Sequence, residues 1–579
     1  MTDILEFKVS GLPDEVPVGI ENSLRGEVEI YTITVGREGG EPIDLSAMKI
    51  TLTADASEAV GRWFPASYQF NRAVKQTWCS NSRSSYISNA PIYSYYRSDD
   101  ANLLTAAIDD TITAWNMCSG IDEPLRVLRF TANPIGLKAD HRVFRVFVDR
   151  SDRPYYESIR SAALWWAELK GGLPEIPECA YDPVYSTWYT FHRDIDAECV
   201  LSECEAAAKL GCRTVFIDDG WATPKETNVF THAGDWKPNR EKFPDFKGFV
   251  DKIHSLGMKA VLWVAPGLSG FSTRSAKLYK NKYISKNDGL NAYILDPRYP
   301  FVRSALYRDL CGIIEDYGFD GLKIDFIDSI QGADCEPDDE RDYLSVDEAL
   351  NDLLTNIYKR LRELNPDALV EYRQSYTGPD ILSNANIIRS ADCAQDFLTN
   401  RVNTIDLRLH TNAAVHSDMI QIIENEAPES SALQITNVLF STPQISARLD
   451  KLSDEQKRML GFWTGFMSDK RELLQKSSFE PSRCYSNYPS VTVRNADERL
   501  TALYGENLLL LDEISPRAYI VNACTREPVY VGSKQPYEAG YRLLDCMGNE
   551  TGRGEITLDG APKPVAIPFN GIMIIEKSN

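Results

Sequence analysis

The sequence predicts an α/β protein: a central (β/α)8 TIM barrel flanked by an N-terminal β-sandwich and a small C-terminal antiparallel β domain. Two observations carry this reading. Strand-like runs alternate with amphipathic helices from about residue 180 to 485, and only short strand-like runs appear on either side. A third narrows it: no GxGxxG follows the first strand of the alternating region, which disfavours a doubly wound open sheet. The expected parts are residues 1–175, 176–485 and 486–579.

In the first part, runs such as EVEIYTITV (Glu27–Val35), Met48–Thr53 and VFRVFV (Val143–Val148) sit between Gly, Pro, Asn and Asp clusters. The segment YESIRSAALWWAEL (Tyr156–Leu169) reads as a helix connecting to the barrel. In the barrel, the expected strands are Val184–Phe191, Thr214–Asp218, Lys259–Ala265, Ala292–Asp296, Gly321–Phe326, Ala368–Tyr372 and Ile387–Ser390, with an eighth near Leu433–Phe440. Helices are expected around Glu198–Leu210, Asp245–Leu256, Phe301–Tyr317 and Val346–Leu364. Short strands return at Ser490–Val493, Thr501–Tyr504, Leu508–Leu511, Ala518–Val521 and Gly571–Ile575.

Composition excludes several classes. The 579 residues are 43% hydrophobic and 25% charged, as in ordinary globular chains and unlike disordered ones. A net charge of −22 repels a polyanion, and no Lys/Arg run offsets it, so nucleic-acid binding is not expected. No apolar stretch approaches the ~20 residues of a membrane span. The first residues lack a basic, then apolar, export signal, so a cytoplasmic protein without membrane association is expected. The 12 cysteines form no CxxC pair and the six histidines no HExxH, so neither a metal nor a disulfide framework is expected. The acidic run 334–342 lacks the spacing of a calcium loop.

Catalytic groups of such barrels project from the C-terminal ends of the strands. The expected exits carry Asp218, Asp219 and Trp221; Asp296 and Arg298; Lys323, Asp325 and Asp328; Glu371, Arg373 and Gln374; Arg389 and Asp392. Strand-end acids often cap the following helix, but acids and cations at five exits fit a catalytic rim better. Two carboxylates facing one pocket suit glycoside hydrolysis, one attacking the anomeric carbon while the other protonates the leaving oxygen. Trp and Asp suit a sugar, whose ring has an apolar face and whose hydroxyls need acceptors.

The ordered segments FIDDGW (Phe216–Trp221), GDW (Gly234–Trp236), KFP (Lys242–Pro244), LDPR (Leu295–Arg298), GLKIDF (Gly321–Phe326) and RSAD (Arg389–Asp392) resemble glycoside hydrolase family 36, in the α-galactosidase clan with families 27 and 31. The resemblance spans about residues 180–480 and implies a retaining exo-α-glycosidase acting on terminal α-galactosyl residues, without cofactor. It implies Asp325 as nucleophile and Asp392 as general acid/base. Asp218 and Asp219 match acceptors for O4 and O6 of the sugar, Trp236 an aromatic wall of the pocket, and Lys323 and Arg389 flanking cations; Trp221 and Arg373 are further candidate substrate contacts. Its substrates would be α-linked galactosides or related oligosaccharides, and self-association stays open.

Lys323 lies two residues before Asp325 and so shares its strand face, where its charge would keep Asp325 ionised. Asp392 must be protonated to act as acid, so Arg389 is expected to contact substrate or another acid instead of it. Asp396 is the nearby alternative acid. The sequence departs from the family on the side that reads the sugar's C2: Arg373 replaces a frequent Cys, and Ile327 a frequent Asn or Cys. The third strand end, Trp263 to Gly267, lacks a frequent acid beside its proline. Three readings therefore stand beside α-galactosidase: a glycosidase for a modified C2 such as an N-acetylgalactosaminide, a transglycosylase of the same fold, and a non-catalytic carbohydrate-binding protein. For Trp263, core filling and a site role weigh about equally; for His416 and Asp418, structural polar roles are favoured.

Overall fold

The computed structural model describes residues 4–67, 72–224, 229–335, 337–512 and 515–577. The N-terminal region is a sandwich. A five-stranded sheet (in order Ile4–Ser10, Lys49–Asp55, Val127–Pro134, Trp115–Asp122, Asn81–Ser84) faces a six-stranded sheet centred on Val28–Gly36, His141–Asp149 and Asn102–Ile108. Alternate side chains of both sheets, among them Ile33, Val35, Ile50, Leu52, Trp115 and Phe144, fill the space between them. The connecting helix Tyr155–Leu169 buries Tyr155, Ile159, Ala162, Ala163 and Trp166, and the Trp166 indole N–H donates to the Ile108 carbonyl at 2.9 Å.

The barrel has eight parallel strands: Val184–Ser186, Thr214–Ile217, Lys259–Val264, Gly321–Ile324, Leu369–Arg373, Ile387–Arg389, Ala414–His416 and Gln444–Ile445. Each pairs with its neighbour and the eighth pairs with the first. Single parallel bridges, His416 to Thr442 and Ile420 to Ile445, join the seventh and eighth. Helices Ala197–Lys209, Phe246–Ser255, Pro300–Tyr317 and Val346–Leu364 fall where the periodicity predicts them.

Two expected barrel strands are elsewhere. Ala292–Leu295 pairs antiparallel with Leu268–Gly270 and Tyr283–Asn287, in a three-stranded sheet inserted after the third barrel strand. The turn Asp288-Gly289-Leu290-Asn291, with Asn291 at φ 54°, closes a hairpin there. Asp296 and Arg298 accordingly pair with each other at 2.9 Å instead of joining the rim. Leu433–Phe440 does not form a strand: Pro428 opens the helix Pro428–Thr436, and the last two strands, only three and two residues long, lie on either side of it. Asp325 thus follows the fourth strand and Asp392 the sixth.

The C-terminal region is a seven-stranded and a three-stranded sheet. It is mostly antiparallel, but Glu498–Leu503 runs parallel to Arg517–Asn522, and Leu508–Leu511 to Val529–Ser533. All three regions meet at Asp406, which is fully buried on a barrel helix. It accepts from Trp63 (2.8 Å) and Tyr488 (2.5 Å) and pairs with Arg72. Burial pushes its carboxyl up, against the pull of Arg72.

Candidate active site

The barrel's inner face follows from the two-residue repeat of a strand. A plug of Val184, Phe216, Val261, Leu369, Ile387 and Ala414, closed by Ala180, fills the N-terminal end of the barrel. Two residues further along each strand come Asp218, Trp263, Glu371, Arg389 and His416, with Lys323 two after Gly321. Register follows the layer over three strand pairs, with Trp263 opposite Lys323, Lys323 opposite Glu371 and Arg389 opposite His416, and shifts between the fifth and sixth strands, where Arg373 lies opposite Arg389. One step higher stand Asp325 and Arg373, at the C-terminal rim. An apolar floor carries a charged ceiling because this fold opens only there.

Asp325 is the most constrained acid of the rim. Its Oδ1 accepts from Arg373 Nε at 2.6 Å, from the Phe326 amide at 2.7 Å and from the Tyr376 hydroxyl at 3.4 Å. Its Oδ2 accepts the indole N–H of Trp263 at 3.1 Å. Phe326 takes φ 56°, a left-handed backbone rare for an aromatic residue, and this turns the chain off the strand immediately after the acid. Burial raises the Asp325 carboxyl, but the nearby charges of Arg373, Lys323 and Arg389 outweigh it and hold it well below the usual carboxylate range. Arg373 also pairs with Asp328 at 3.2 Å.

Lys323 makes its ion pair with Asp218 and acts on Asp325 through space. Asp219 pairs with Arg193, and its amide donates to Asp218 Oδ1 at 2.8 Å, so the two acids point apart from adjacent positions. Burial pushes the Asp219 carboxyl up. Lys242, from KFP, anchors the turn by donating to the carbonyls of Arg193 (2.7 Å) and Gly220 (2.9 Å). Gly220 stands at φ 121°, and a Cβ there would lie 2.7 Å from Arg193 Cα. Gly220→Ala should therefore lower stability by about 1–3 kcal/mol, the scale of one strained backbone position, in a chemical denaturation curve. An unchanged midpoint would show that the turn relaxes freely.

The GDW segment places its residues by similar means. Gly234 has φ 113°, with Leu268 O and Ser275 Oγ each 2.8 Å from where a Cβ would be. Asp235 accepts the amides of Arg274 (3.0 Å) and Ser275 (2.9 Å) at the start of a short helix. Trp236 is 5% exposed, meets Trp263 edge-on at 6.3 Å, and its indole N–H has no acceptor among the described residues. Trp221 sits behind the rim: it is 1% exposed, stacks on Phe246 at 5.6 Å, and donates to the Trp263 carbonyl at 2.9 Å.

Asp392 sits on the turn after the sixth strand with its side chain 59% exposed. Here the structure departs from the sequence expectation, because Arg389 does touch it, at 3.0 Å. The chain turns back over the strand end, so a three-residue separation brings the two side chains together. Arg389, 1% exposed, also pairs with Asp418 and lies 3.6 Å from Glu371. Burial raises the Asp392 carboxyl and Asp325 pushes it the same way, but the cations Arg389, Lys323 and Arg373 together outweigh them, and the net direction is downward. Asp396 is spent as a helix cap, accepting the Thr399 amide at 2.9 Å. His416 and Asp418 form no dyad: His416 Nε2 contacts the Ala180 carbonyl at 2.7 Å, while Asp418 accepts from Tyr189 at 2.9 Å and the Cys393 amide at 2.7 Å.

Tyr376 and Tyr189 join the site without having been singled out by the sequence, and Trp263, weighed evenly there between core and site, falls in the site. For Trp263 the signal was present: it is two residues after the inward-facing Val261. Among the described residues no group of three or more His, Cys, Asp and Glu is arranged to hold a metal ion, and no helix is long and apolar enough to cross a membrane.

Fold and site together define a class: a (β/α)8 barrel with carboxylates and cations gathered on the C-terminal rim. The sequence model of the Melibiase family matches residues 181–476, about half of the chain. The chain belongs to this family, within glycoside hydrolase family 36. Among curated relatives, an A type blood α-D-galactosamine galactosaminidase of Flavonifractor plautii is 29% identical over 172 residues, 26% of this chain and 15% of the relative. The α-galactosidase Mel36A of Lactobacillus acidophilus is 25% identical over 185 residues, 29% of this chain and 25% of the relative. The chain thus matches no more than about a quarter of the length of these relatives. Among solved structures, the GH36 α-galactosidase AgaA of Geobacillus stearothermophilus superposes with a TM-score of 0.65 at 14% identity, covering 100% of this chain and 88% of that one. At that identity the likeness concerns the fold.

Proposed function

We propose that this protein is a retaining exo-α-glycosidase that removes terminal α-galactosyl residues, with Asp325 as nucleophile and Asp392 as general acid/base. The observation that carries the reading is the Asp325 carboxylate itself: partly buried at the rim, kept ionised by three cations, and held mainly through one oxygen. Oδ1 already accepts three hydrogen bonds, whereas Oδ2 accepts only the Trp263 indole. Oδ2 is therefore the attacking atom. It forms a bond to C1 while the C1–O bond to the aglycone breaks, and the leaving oxygen takes the proton of Asp392. In the second step Asp392 takes a proton from water, the water oxygen bonds to C1, and the Asp325–C1 bond breaks. The cations that weaken Asp325 as a base make it a better leaving group in that step. Asp218 and Asp219 keep lone pairs for sugar hydroxyls.

A second reading concerns the sugar's C2 substituent. Arg373, which the family resemblance places on that side, is engaged with Asp325 and Asp328, and the galactosaminidase relative is described by its name as acting on an amino sugar. A panel of aryl α-glycosides decides between them: α-galactoside, α-galactosaminide, α-N-acetylgalactosaminide and an α-uronide. The first reading expects the galactoside to be turned over fastest, with α-configured free sugar as the first product seen by NMR. Preference for an amino sugar would move the assignment to the second reading. Transfer to an added sugar acceptor in place of water would make it a transglycosylase, and saturable binding without turnover a carbohydrate-binding protein.

A further inference from the structure

At the opposite, N-terminal end of the barrel lies a cavity of 650 Å³ between the connecting helix Tyr155–Leu169, the barrel helix Phe397–His410 and the segment 475–480. Thr411 to Ala413, which lead into the seventh strand, form part of its wall. Two arginines face it. Arg160 donates to the Thr411 carbonyl at 2.7 Å, and Arg408 to the carbonyls of Phe440 (3.1 Å) and Leu474. Neither forms an ion pair with a carboxylate among the described residues.

The other charges of the lining are accounted for. Lys476 pairs with Glu178 (2.7 Å) and Glu472 (2.9 Å), Arg153 with Asp149 (3.4 Å) and Glu27 (3.6 Å), and Glu480 with Arg494. Glu157 is exposed and forms no ion pair with either arginine. Two neighbouring guanidinium groups, both partly buried, therefore line one wall without an ion-paired carboxylate among the described residues. Burial, reinforced by the charge of Arg160, pulls Arg408 down to about 9, and burial lowers Arg160 as well. Proteins rarely keep unpaired cations in such a place, because their removal from water is unfavourable. The Arg408 guanidinium carbon lies over the Phe479 ring, 4.2 Å from its centroid, a contact that helps hold the group at the cavity wall.

We propose that this cavity is an anion-binding site in which Arg160 and Arg408 clamp a small oxyanion group, a phosphate or a carboxylate. Guanidinium forks match either group through paired N–H···O bonds. The site is at the far end of the barrel from Asp325, so occupancy stabilises the junction of connecting helix and barrel without entering the reaction. It does not depend on which sugar the rim accepts.

The test is a thermal-shift titration of the full chain with sodium phosphate and with citrate, against sodium chloride at matched ionic strength, in wild type and in R160Q/R408M. A saturable rise of the midpoint is expected in wild type with one or both oxyanions and not with chloride. The double variant should lose that response and keep its aryl-glycoside turnover. A stronger response to phosphate assigns a phosphoryl ligand, and one to citrate a carboxylate. No saturable response in wild type, or the same response in the double variant, would overturn the proposal. If R160Q/R408M does not fold, R160K/R408K keeps both charges without the forks and should bind at least about tenfold more weakly; unchanged affinity there would overturn it equally.

Discussion

Asp325→Asn should abolish turnover of every α-glycoside, good leaving group or poor, by at least ~10⁴-fold, the scale on which removal of a reacting group acts. Asn cannot form the ester bond to C1, and a better leaving group does not help a reaction that has lost its nucleophile. The same substitution tests how the site is held. The folded protein keeps Asp325 ionised through Arg373, Lys323 and Arg389, so its carboxyl titrates below the ordinary aspartate value of 3.8. A group lowered in this way stabilises the fold above its unfolded pKa, and that contribution disappears as the pH falls toward the folded value. At pH 7 the Asn variant should therefore be less stable than wild type by roughly 1.5–3 kcal/mol, comparable to a hydrogen bond to a charged group. The gap should narrow below about pH 4, where the unfolded wild-type chain takes up the proton. Denaturation curves at pH 7 and pH 3.5 read it directly. A gap that stays constant with pH would mean that the cations do not act on Asp325 as the structure implies.

How much of this was legible beforehand depended on whether the signal was local. Four barrel helices were, because each buries one stripe of a periodic sequence; Val346–Leu364 is found with the expected bounds, whereas the helix Pro428–Thr436 was expected in part as a strand. The acids at strand ends were also legible, since the motifs that contain them are contiguous and two-residue spacing fixes the face. Strand membership was not. AYILD reads equally well as a buried parallel strand or as one arm of a hairpin, and only pairing with Leu268–Gly270 and Tyr283–Asn287 decides it. The seventh and eighth strands are too short to show periodicity. Side-chain partners were the least legible part. Trp263 and Tyr376 reach Asp325 across 62 and 51 positions, a separation on which local pattern is silent. Arg389 was expected to avoid Asp392 because the contact opposes protonation of the acid; it does pair with another acid, Asp418, but the turn after the strand brings Asp392 to it as well.

That contact sets the behaviour of the second carboxylate. Asp392→Ala should cost substrates with poor leaving groups, such as alkyl or glycosyl α-galactosides, about 10²–10⁴-fold in kcat/KM, but dinitrophenyl substrates no more than about tenfold. The dinitrophenolate needs no proton to depart, so only the later attack of water suffers, and the glycosyl-enzyme accumulates. Azide, a nucleophile that requires no base, should then restore turnover and release an α-glycosyl azide, because Asp325 still holds the opposite face of C1. Equal losses on both substrate classes would place the acid elsewhere. The pH profile supplies a further check on wild type. In the free protein Arg389 lowers the Asp392 carboxyl, which favours the deprotonated form that cannot act as acid. A bound sugar covers the exposed side chain and displaces water from it, and desolvation favours the protonated form. The alkaline limb of kcat/KM, which reports the free protein, should therefore lie at lower pH than that of kcat, which reports the complex. In Asp392→Ala the alkaline limb of kcat/KM for a dinitrophenyl substrate should vanish. A limb that persists there would belong to another group on the rim.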